Sequence, residues 1–183
     1  MLLKPDHHRR IYFAGLLLLA VGLPLSRVLM SMGQLVLVAN WLLEGDLKGK
    51  WQRFVSIPAA WIFASIFGLH VLGLLWTSDF DYAFNDLRVK LPLLALPVIM
   101  ATSGPLSQRL YRWLEWLFIA AVLLGSFIST AVWMGWTKHQ ITDVRDISLF
   151  ISHIRFSLLI AVVVLMLLRH MICLLYTSDA ADD

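Results

Sequence analysis

The run Leu114–Trp136, LEWLFIAAVLLGSFISTAVWMGW, decides the fold class. It is long and apolar enough to cross a hydrocarbon core as one helix, which takes about 20 residues. A bilayer offers the backbone no hydrogen-bond partners, so such a run must close its own hydrogen bonds and reads as α-helix. The next run, Ile154–Ile172, is a second span of this kind. It is entered through Thr142–Ser157, TDVRDISLFISHIRFS, where a polar segment turns apolar. Upstream, Ile57–Trp76 is a third full-length span.

Composition points the same way. Hydrophobic residues make up 60% of the chain and the mean hydropathy is +0.77, against roughly 45 to 50% apolar in a soluble domain. The formal charge is +3, but the cations fall in short clusters between apolar runs, so they set topology rather than nucleic-acid affinity. The single cysteine, Cys173, excludes an intramolecular disulfide framework and a cysteine-rich metal site. The last eleven residues, CLLYTSDAADD, resemble the conceptual translation of a sequencing adapter. They are therefore set aside as an artefactual tail, 173–183, from the multi-span domain, 1–172. Without them the acidic count falls from 12 to 9 and the net charge becomes +6. The natural sequence is expected to break off in mid-helix at Ile172.

Taken in order, Met1–Arg10 is polar and basic, and its Asp6-His7-His8 reads as a solvated terminus because adjacent residues make a poor metal cage. Ile11–Leu25 and Val28–Leu43 read as two short spans joined by a tight outer turn at Pro24–Arg27. Merged, they would make a helix of about 50 Å, far longer than a bilayer core. Glu44–Phe54 reads as a charged loop. Thr77-Ser78-Asp79 has capping chemistry for a following helix, on which Phe80, Phe84, Leu87 and Leu91 share one face, as in an interfacial amphipathic helix. Pro92 and Pro97 kink the chain through Leu91–Ala101, a run too short to span alone. Thr102–Arg112 is a polar connection and Thr137–Ser152 an outer loop.

The expected architecture is thus an all-α polytopic bundle of about six membrane segments, two of them short and N-terminal and one proline-kinked, plus an interfacial helix. With the N-terminus inside, inner segments hold nine Lys and Arg residues and outer segments six, in the direction of the positive-inside rule. Tryptophans agree: Trp41, Trp51, Trp113 and Trp116 fall near inner boundaries and Trp76, Trp133 and Trp136 near outer ones.

Gly-rich phosphate loops, Cys/His zinc spacings and nucleophile elbows do not occur in the sequence. His70 lies within a span, near its outer edge, and is expected as a neutral histidine bonded to a neighbouring helix. Arg145, His153 and Arg155 carry more weight, gathered within eleven residues at a membrane boundary. A helix starting near Ser152 places Arg155 in its first turn, where the dipole disfavours a cation unless an anion is near. That anion could be Asp143 or Asp146, a lipid headgroup, or a lipid-linked diphosphate held by guanidinium forks.

The short N-terminal hairpin, Gly73–Asp79 (GLLWTSD), Asp86–Leu94 (DLRVKLPLL) and Ile151–Ser157 (ISHIRFS), in this order and spacing, resemble the N-terminal half of the O-antigen ligase and polymerase family. The resemblance covers about Ile11–Ile172. It implies a polytopic glycosyltransferase of the bacterial inner membrane, without a cofactor or metal. Such an enzyme moves a glycan from an undecaprenyl diphosphate carrier to lipid A core, a growing glycan or a protein. It also implies that Arg145 and Arg155, with His153, Arg88 and Lys90, contact the donor diphosphate, and that the catalytic periplasmic loop lies beyond residue 172. A chain without that loop is expected to be inactive. The alternative is a transporter or channel subunit in which His70 and the outer cations line a polar path.

Overall fold

The computed structural model describes residues 4–136 and 152–179. Among these residues all regular structure is helical: α1 (Pro5–Leu25), α2 (Arg27–Glu44), α3 (Leu47–Ser56), α4 (Pro58–Gly73) with a 3-10 turn at Leu74–Trp76, α5 (Phe80–Lys90), α6 (Pro92–Thr102), α7 (Gln108–Trp133) and α8 (His153–Asp179). Four stretches are long and apolar enough to cross a bilayer: Asp6–Leu25, Pro58–Trp76, Gln108–Trp133 and His153–Cys173. A fifth exists only if α2 and α3 count as one span bent by 117°. The chain therefore has four or five such segments among its described residues where the sequence suggests about six. The 18-residue α2 does not qualify alone, and α6 has 11 residues with Pro97 inside it.

Strong local signals hold in the folded chain. Asp79 caps α5 by accepting from the Tyr82 amide at 3.0 Å. Leu91 keeps helical torsions between α5 and α6, and Pro92 sits at the first position of α6, where its missing N–H costs nothing. Residues 44–54 are not a loop: α3 occupies most of them. Gly45 and Asp46 both adopt left-handed torsions, φ 73° and 51°, which turn the chain sharply after α2. Asp46 then caps α3 through the Gly49 amide at 3.2 Å. Helix α7 also starts earlier than the apolar pattern suggests, so Arg109 and Arg112 ride on it. Helix α8 begins at His153, as expected, and runs on through residues 173–179.

The chain divides into two compact units. The first comprises residues 1–16 and 32–107. In it α4 packs mainly on α6, which α3 also touches, and the N-terminal part of α1 meets the C-terminal part of α2. His8 is a correction here: it is buried, 2% exposed, rather than solvated. The Asn40 amide donates to the His8 carbonyl at 3.1 Å, which turns Asn40 Oδ1 towards His8 Nδ1 at 2.8 Å. The imidazole therefore donates from Nδ1. Lys50 is buried as well, 1% exposed, and Trp41 Nε1 donates to Thr102 Oγ1 at 2.7 Å.

The second unit comprises residues 17–31 and 108–183. Helices α7 and α8 pack antiparallel around Ile119, Val122 and Val163, flanked by Phe118, Leu159, Met166 and Leu167. At one end of this seam Phe156 lies over Gly125, and at the other Arg169 reaches Glu115. The remaining parts of α1 and α2 approach backbone to backbone: a Cβ on Gly22 would stand 2.4 Å from the Met30 nitrogen. Helices in lipid associate through such close packing rather than through a hydrophobic drive. Gly22→Ala is expected to cost about 2 kcal/mol through overpacking against a backbone that cannot yield. At Gly15 the obstructing atom is the Leu37 side-chain end at 2.7 Å, which can rotate away. Gly15→Ala should therefore cost less, and SDS titration of the two variants in mixed micelles checks the order.

Candidate functional site

Two helices of the second unit begin with an arginine in the first turn. Arg27 opens α2 and Arg155 stands two residues into α8. Neither first turn contains an acid. A helix N-terminus carries about half a positive charge from its unpaired amides, so each arginine adds a cation where one is disfavoured. Both line a single cleft of about 690 Å³ with Ser31, Ser152, Leu23, Met30, Leu158 and Leu159. Arg27 and Arg155 are both exposed, and neither has an ion pair among the described residues.

The cleft thus combines two guanidinium groups and two helix N-termini with an apolar wall, and its lining among the described residues contains no carboxylate. That arrangement suits an anion carried on an apolar chain. Guanidinium forks pair with phosphate oxygens bidentately, and helix N-termini favour the same charge. Ser31 donates its hydroxyl to the Arg27 carbonyl at 3.0 Å, so its oxygen retains acceptor capacity only.

Of the residues expected from the sequence, Arg155 lines this cleft and His153 does not, although it is exposed beside it in the chain. Arg145, with Asp143 and Asp146, lies outside the described residues. Arg88 is exposed on α5 in the first unit, and Lys90 pairs there with Asp86 at 2.7 Å. His70 corrects an expectation: its Nδ1 bonds the Ile66 carbonyl of its own helix at 2.8 Å, not a neighbouring helix. It borders a groove with Thr77, Tyr82 and Asp86. No family model, curated protein or solved structure matches the chain.

Sequence reasoning does not single out Arg27, which it places in the turn after Pro24. The available signal was Ser26: its hydroxyl accepts from the Leu29 amide at 3.4 Å, so Arg27 starts a helix. It also missed a polar cluster at the far end of α7 and α8. Glu115, 5% exposed, accepts from Arg169 at 2.5 Å, and His170 Nε2 lies 3.3 Å from the same oxygen. The His170 ring stacks on Trp116 with centroids 5.2 Å apart. Among the described residues no three His, Cys, Asp or Glu side chains gather as a metal ion would require.

Proposed function

We propose that this chain is the membrane-embedded N-terminal part of a glycosyltransferase resembling the O-antigen ligases and polymerases, and that its arginine cleft receives the diphosphate of a lipid-linked glycan donor. The observation that carries the reading is the convergence of Arg27 and Arg155, each at a helix N-terminus, on one cleft with an apolar wall and no acid among its described lining residues. A diphosphate meets the guanidinium groups and dipoles, and its polyprenyl chain meets Leu23, Leu158 and Leu159. In glycosyl transfer the diphosphate is the leaving group, so cations fixed beside it stabilise the charge that develops as the glycosidic bond breaks. The acceptor, lipid A core or a growing glycan, and the base that deprotonates it belong to residues beyond this cleft. In this reading the protein sits in the bacterial inner membrane with its N-terminus cytoplasmic, and α2 and the α5–α6 element complete about six membrane segments.

Binding of undecaprenyl diphosphate to the purified protein tests the proposal. Arg27→Ala and Arg155→Ala are each expected to weaken it about tenfold, the low end of the ~1.5–3 kcal/mol of a hydrogen bond to a charged group. Affinity unchanged in both variants would refute the assignment. A transporter reading would need the groove at His70 to continue as a polar path, and the His70 imidazole is instead turned to its own helix.

A further inference from the structure

Helix α3, LKGKWQRFVS, contains three cations and no acid. Its orientation is fixed twice over. The left-handed joint at Gly45 and Asp46 sets it at 117° to α2, and Lys50 pins its underside. The Lys50 ammonium donates to the Trp41 carbonyl at 2.6 Å, pairs with Glu44 at 2.9 Å and lies 4.6 Å from the centre of the Trp41 ring. With Lys50 held there, the helix cannot roll about its own axis, and the neighbouring face, about a quarter-turn away, stays outward. Leu47, Trp51 and Val55, at i, i+4 and i+8, form one stripe and are 63%, 66% and 54% exposed. Lys48 borders the stripe and Arg53 stands on the far side of the helix from it; both are exposed. Arg53 reaches Asp46 at 3.3 Å, a pair so open to solvent that it leaves most of the charge available.

We infer that α3 is an interfacial anchor that rests on the bilayer surface, with Leu47, Trp51 and Val55 in the acyl boundary and Lys48 and Arg53 on anionic phospholipid headgroups. The charge argues for this occupant: a narrow apolar stripe on a helix whose own charges are all cationic, with Lys48 at the stripe's edge, complements phosphate above hydrocarbon. The tryptophan in its middle favours that depth. So does the bend, which lays α3 across the axis of α2, as a surface helix must lie beside a helix entering the membrane. This inference is independent of the glycosyl-transfer reading.

The full chain carrying Cys173→Ser, with single nitroxide-labelled cysteines at 47, 51, 55, 52 or 56, tests it in vesicles of phosphatidylcholine and phosphatidylglycerol. Labels at 47, 51 and 55 are expected to collide several-fold more with oxygen than with an aqueous nickel chelate, and those replacing Gln52 and Ser56 the reverse. Nickel access at all five positions would overturn the anchor in favour of a solvated helix. Shielding of 47, 51 and 55 from both reagents would overturn it in favour of a protein cover. In the same vesicles, replacing Lys48 and Arg53 together by glutamine is expected to cut the preference for spin-labelled phosphatidylglycerol over phosphatidylcholine, by up to about fivefold per charge. An unchanged preference would overturn the headgroup assignment.

Discussion

Arg169→Ala is expected to destabilise the α7–α8 pair by about 3–5 kcal/mol, whereas Glu115→Leu costs less than about 1 kcal/mol. The two residues share one ion pair, and the difference lies in which charge is left behind. The Glu115 side chain is 3% exposed, while that of Arg169 is 56% exposed. Removing the arginine strands a buried carboxylate whose remaining neighbour, His170, stands at 3.3 Å. Removing the glutamate frees a guanidinium that water or headgroups already reach, and leucine fills the space. SDS titration of the purified protein in mixed micelles measures both, and equal losses would show that burial does not govern this pair. Adding His170→Ala to Arg169→Ala should deepen the loss, since the imidazole is the last group able to share the carboxylate's charge.

The same asymmetry runs in the opposite chemical sense at the joint of α2 and α3. Glu44→Ala is expected to cost about 3 kcal/mol, because it leaves an ammonium whose side chain is 2% exposed, against 29% for Glu44. The Trp41 carbonyl and ring still hold Lys50, which keeps the loss at the low end. Lys50→Met retains most of the buried stem and leaves a carboxylate with access to water. It should cost about 1–2 kcal/mol, chiefly from the unpaired Trp41 carbonyl. If Lys50→Met proves the more damaging of the two, the cluster is held by the bonds of Lys50 to Trp41 rather than by its ion pair.

What could be read from the chain was set by distance along it. The cap at Asp79, the first turn of α8 and the break after Leu25 depend on neighbours within a few residues, and the sequence locates each of them to within a residue or two. Helix α3 escaped notice because a segment with three cations looks like a solvated loop until Lys50 is seen beneath it, bonded to residues of the preceding helix. His8 escaped for a related reason: its partner, Asn40, lies 32 residues away. The Glu115–Arg169 pair spans 54 residues, and Glu115 alone at a span's edge looks like an ordinary boundary charge. For the cleft, the sequence supplied Arg155 and the idea that its position calls for an anion. It did not supply Arg27, because only the folded chain brings the start of α2 to the start of α8.

The reciprocal bonds between His8 and Asn40 also bear on how the chain is made. Until α1 is alongside, α2 would present a carboxamide to lipid with nothing to satisfy it, and α2 on its own falls short of the hydropathy of an independent span. Synthesis delivers α1 first, so the partner is waiting when Asn40 emerges. The unit handed to the bilayer is then the helical hairpin, and the close approach at Gly22 lets it leave the insertion machinery already paired. A segment made without its first 25 residues, residues 26–56 fused to a reporter, is expected to leave α2 uninserted and so to be extracted from membranes by alkaline carbonate, whereas residues 1–56 hold the same reporter in the membrane pellet.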